Sequence, residues 1–89
     1  MKSYETNDDP SVVALNALKW IFLDENRAVR FLSLTGLTPH DLKDRLSEPS
    51  VLVAVLAFLE AHEPDLIACA ESLGVPVTAL VDARMRLEG

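Results

Sequence analysis

The stretch PSVLVAVLAFLEAH, residues 49–62, decides the fold. Its run from Val51 to Leu59 is apolar at all nine positions, so neither strand alternation nor a single helical stripe describes it. A Val-rich run of this length also suits a buried strand. No second segment of the chain reads as a strand that could pair with it, which leaves a helix over about residues 49–62. A helix apolar all round is a post that others surround. Nine residues are far fewer than the roughly 20 needed to cross a bilayer.

Working outward, Pro49 is one of five prolines, with Pro10, Pro39, Pro64 and Pro76. Each stands where a helix would begin, and proline suits the first helical position because its missing N–H would be unpaired there anyway. The apolar spacing between them is helical, giving an all-α fold: a compact bundle of about six short helices around the central 49–62 helix. Helix 1 is expected from an Asp9 cap to about Leu23, with a main stripe of Ala14, Leu15, Leu18, Ile21 and Phe22. Val13, Ala17 and Trp20 make a second stripe on nearly the opposite side, which another helix or a partner must cover.

Asp24 caps a helix over 25–35 that buries Ala28, Phe31, Leu32 and Leu34 and ends at Gly36, with Leu37 folding back in a Schellman contact. Thr38-Pro39-His40-Asp41 reads as a capping box with Asp in the usual Glu place, opening a short helix over Leu42 and Leu46. The central helix should stop at Glu63, the residue before Pro64. Helices over 64–73 and 76–87 follow, burying Leu66, Ile67, Ala70 and Leu73, then Val77, Leu80, Val81 and Leu87, with Gly74 as the stop between them. Residues 1–8 read as a polar, flexible N-terminal tail, and residues 9–89 as one helical domain of about 12 Å radius of gyration.

The formal charge is −6, distributed as −3 over residues 1–26, +2 over 27–46 and −5 over 47–89. That balance disfavours nonspecific binding to nucleic acid or anionic lipid. A single cysteine, Cys69, allows no intramolecular disulfide. It fits a reducing compartment, and the polar, acidic N-terminus has no apolar signal core, so the expected location is the cytoplasm, without membrane attachment.

Chemistry-bearing constellations are few. His62, Glu63, Asp65 and Cys69 are the densest candidate metal ligands, but no CxxC or HxxxH spacing occurs, and no metal or other cofactor is expected. Cys69 lies mid-helix beside the core, which does not lower a thiol pKa. The serines at 47 and 50 read as caps, and the glycines as helix stops or the terminus. No catalytic residue is assigned and no enzymatic activity is expected.

Two surfaces remain as interaction candidates. One is the stripe of Val13, Ala17 and Trp20, since tryptophan is favoured at interface centres. The other is the basic set Arg27, Arg30, Lys43 and Arg45, suited to an acidic partner or phosphate, or else to ordinary ion pairs with Asp41 and Asp44. The leading reading is therefore a non-enzymatic protein–protein interaction or self-association module, with an unidentified protein partner or a homodimer through helix 1 or the central helix.

The alternative lies in LIACAESLGVPVTALVDARMRL, residues 66–87. Ala70, Gly74, Leu80 and Ala83 follow the helix-turn-helix pattern of close crossing, turn and buried second helix. A nucleic-acid binder built on residues 64–87 would present Thr78, Asp82, Arg84 and Arg86. Against it, residues 64–89 hold only those two arginines against four carboxylates, and phosphate contacts need cations.

With RFLSLTGLTPHDLKDRL, AVLAFLEAHEPDL and ACAESLGVP in view, nearly the whole chain, from about Pro10 to Leu87, resembles the short alphaproteobacterial proteins grouped as domain of unknown function 3572. The shared features are caps, turns and core positions. The resemblance implies a bacterial, cytoplasmic helical protein and supplies no active-site residue.

Overall fold

A computed structural model describes residues 9–89; the tail expected over residues 1–8 lies outside them. The helices are α1 (Pro10–Ile21), α2 (Glu25–Thr35), α3 (Pro39–Arg45), α4 (Pro49–Glu60), α5 (Glu63–Leu73) and α6 (Val77–Glu88), and among the described residues there is no strand. The radius of gyration is 12.1 Å. The all-α reading and the central role of residues 49–62 both hold: α4 packs against α1, α2, α5 and α6. Its Val51, Leu52, Val55, Leu56, Phe58 and Leu59 are buried. They join residues from every other helix in one core.

Caps place the helix ends. The Asp9 carboxylate accepts from the Ser11 N–H at 2.9 Å, and the Asp24 carboxylate from the Arg27 N–H at 3.0 Å. The capping box forms in full: Thr38 Oγ1 accepts from the Asp41 N–H at 3.0 Å, and the Asp41 carboxylate accepts from the Thr38 N–H at 3.1 Å. The Thr38 N–H is the main cause that holds the Asp41 carboxyl below its ordinary pKa, with the Thr38 hydroxyl second, because a donor to the carboxylate favours its ionised form.

The prolines do not share one position. Pro10, Pro39 and Pro49 are the first residues of their helices, Pro64 is second after Glu63, and Pro76 is the extended residue before α6. The central helix stops at Glu60, earlier than expected, because Ala61 and His62 form the turn and Glu63 already belongs to α5. Helix α1 likewise ends at Ile21, ahead of Leu23.

The two glycine stops also differ. At Gly74 (φ 72°) the Val75 N–H reaches the Ala70 carbonyl at 3.0 Å and the Gly74 N–H reaches Glu71 at 3.2 Å, a Schellman ending. At Gly36 (φ 76°) the Schellman hydrogen bond from the Leu37 N–H to a backbone carbonyl does not form. The Gly36 N–H bonds Leu32, while the Leu37 N–H goes to Thr35 Oγ1, which itself donates to the Phe31 carbonyl. A side-chain hydroxyl has taken over one backbone link.

The core face of α1 is turned from the predicted one. Val13, Ala14, Ala17, Trp20 and Ile21 are the buried residues, a contiguous arc of about 120°. Leu15 and Leu18 are only half-buried and Phe22 is exposed. Ala14 and Ala17, both fully buried, let neighbouring helices approach closely, and that approach covers Trp20 as well. Leu34 and Ile67, expected inside, are exposed.

Candidate functional site

The stripe of Val13, Ala17 and Trp20 is not a free surface. All three are core residues, at 8%, 0% and 8% exposure; the cover expected from another helix or a partner comes from the chain's own helices. Trp20 is further closed by Arg27, whose guanidinium lies 3.5 Å from the ring centroid. The same guanidinium donates to the Trp20 and Ile21 carbonyls. Arg27 therefore caps the C-terminal end of α1 and neutralises its negative pole, a structural duty that leaves little of it for a ligand.

The rest of the basic set is dispersed rather than gathered. Arg30 pairs with Asp65 and lies over the Phe58 ring at 5.4 Å. Arg45 pairs with Glu48 at 3.0 Å. Lys43 is exposed on α3 and has no ion pair among the described residues. The partners Asp41 and Asp44, expected from sequence, are engaged elsewhere: Asp41 in its capping box and Asp44 with His40 at 2.9 Å.

On α6, Thr78, Asp82 and Arg86 are exposed and Arg84 is half-buried. Arg84 pairs with Glu60 on α4 and with Glu88, and the bond to Glu60 is the main cause that raises its pKa. Arg86 pairs with Asp82 at 2.9 Å. Among the described residues no three His, Cys, Asp or Glu side chains converge as a metal site would require. Cys69 is fully buried, and burial pushes its thiol up to about 12, so it is a poor nucleophile at neutral pH.

An open groove between α2 and α4 is the concave feature that the sequence reading passed over. Leu34, Thr35, Ala54, Ala57, Phe58 and Ala61 line a space of about 400 Å³. Phe58, 6% exposed, forms its floor and is held by edge-to-face contact with Phe31 at 5.3 Å. Leu34 stands at the α2 edge with 71% of its surface exposed. The signal was present in the quoted run: Ala54, Ala57 and Ala61 are its small residues, spaced i, i+3, i+7 on one face. Calling the helix apolar on every side hid the difference between large and small.

No curated protein and no solved structure matches the chain. A family model described as protein of unknown function, DUF3572, matches residues 7–89. That span takes in every capped helix, both glycine stops and both walls of the groove, and the chain belongs to the DUF3572 family.

Proposed function

We propose that this chain is a non-enzymatic, protein-binding helical module of the cytoplasm whose docking surface is the groove between α2 and α4. The carrying observation is the groove itself, with an aromatic floor, one wall of alanines and one protruding leucine. The ionisable groups of the molecule favour binding over chemistry, because many of them cap helices or bridge them. Asp9, Asp24, Asp41 and Arg27 serve helix ends, while Arg30 and Arg84 tie neighbouring helices together.

A photo-crosslinking residue placed at Leu34 or Ala57 tests this in producing cells. Protein adducts are expected from both positions and not from Val29, which is exposed elsewhere on α2. Absence of any protein adduct from 34 and 57 would overturn the reading.

One observation favours a nucleic-acid binder instead. Helices α5 and α6 meet at 101°, inside the roughly 90–120° of helix-turn-helix pairs. Ala70, Leu80 and Ala83 are buried as that motif requires. The pairing of Arg84 and Arg86 with carboxylates weighs against it, since each phosphate contact would have to displace an existing partner. Retention on immobilised duplex DNA at low ionic strength, lost on Arg84/Arg86 double substitution, would establish this second reading and displace the first.

A further inference from the structure

We propose that the occupant of the α2–α4 groove is a second copy of this chain, with Leu34 of each copy seated against Ala54, Ala57 and Ala61 of the other about a two-fold axis. This rests on the docking surface inferred above and names its partner. Two features select a copy over a different protein.

The first is self-complementarity. A two-fold contact uses one patch twice, so the patch must carry both a protrusion and its recess. Here the protruding Leu34 and the alanine recess line the same groove.

The second is charge. Two chains of net charge −6 repel at most of their surface. On α2 and α4, the formal charges within one turn of the lining residues are Arg30 and Glu60, compensated by Asp65 and Arg84, and Glu63, two residues after Ala61, adds one exposed negative charge. The groove is thus an apolar patch of low charge on an acidic molecule. Leu23, the most exposed at 79%, is followed at once by Asp24 and Glu25, so a symmetric contact there would bring four carboxylates together. A basic partner would be drawn to the acidic faces, and binding of that kind weakens with salt. Association of copies through an apolar patch of low charge strengthens with it, because salt screens the long-range repulsion.

The test is the solution mass of the purified chain by light scattering across concentration and ionic strength. The expected result is a rise from 9.8 kDa toward twice that value, favoured by salt. Leu34→Glu and Ala57→Lys alter exposed side chains and should leave the circular dichroism spectrum and melting temperature unchanged. Each should weaken association by about tenfold or more, as charges placed at an interface centre do. Mixing the two variants should restore the dimer, because one of its two equivalent contacts becomes a Glu–Lys pair and the other stays native. A mass fixed at 9.8 kDa under all conditions, or single variants that associate like the parent, would overturn the proposal. The crosslinks from 34 and 57 then separate the two ideas: adducts to a different protein leave the docking surface standing, and no protein adduct removes both.

Discussion

Helix α4 has an inner face of Val51, Leu52, Val55, Leu56 and Leu59, each 2% exposed or less, and toward α2 an outer face of Ala54 and Ala57, continued by Ala61 in the turn after it, that stays partly or wholly open. Both faces are apolar, so hydrophobicity does not separate them. Size does. On the inner face, branched side chains reach across and fill the space toward the surrounding helices, as close-packed interiors require. On the outer face, methyl groups stop short of α2, and the gap between them is the groove. Neighbouring stretches of one helix therefore build the core and leave a binding surface.

Substitution of Leu56 by Ala should break the comparison most forcefully if the inner face is less essential than its burial indicates. Leu56 is fully buried, and losing its side chain should cost about 3 kcal/mol of unfolding free energy by urea titration. A cost as small as that of an outer-face change would erase the distinction. An intermediate effect comes from Cys69, also within the core. Its thiol ionises near 9.0 when unfolded and only near 12 when folded. The native state therefore keeps a proton that the unfolded chain releases. Stability is full below the unfolded value and declines as pH rises above it. The urea midpoint should fall more steeply above about pH 9 in the parent than in Cys69→Ala; parallel alkaline limbs would show that the thiol is not sealed in. The smallest change is expected on the outer face. Ala57→Ser should move stability by no more than about 0.5 kcal/mol, and a larger loss would mean that the groove is closed in solution.

Much of this was legible from local chemistry. Asp24, Thr38 with Asp41, and Gly74 act within a few residues of themselves, so their cap roles could be read from spacing alone. The family could also be read, from the caps, turns and core positions quoted above. What stayed hidden depended on partners distant in the chain. Trp20 reads as a surplus apolar residue until Arg27 and the packed helices are seen to cover it. Arg30 reads as part of a basic surface until Asp65 is brought to it from α5. The groove was missed because a gap is a property of two helices at once, and Leu34 reads as core until α4 is found to meet α2 with alanines.

Helix α6 packs on both α1 and α4 and brings Leu80 and Ala83 into the core. It follows every one of its partners in chain order, with four helices between it and α1. During synthesis the part of α1 that α6 covers must therefore stay wet until α6 has left the ribosome. Local caps can form early, but the common core closes late and all at once. A nascent chain halted before Leu80 would leave uncovered the parts of α1 and α4 on which α6 packs, making it a natural client for chaperones.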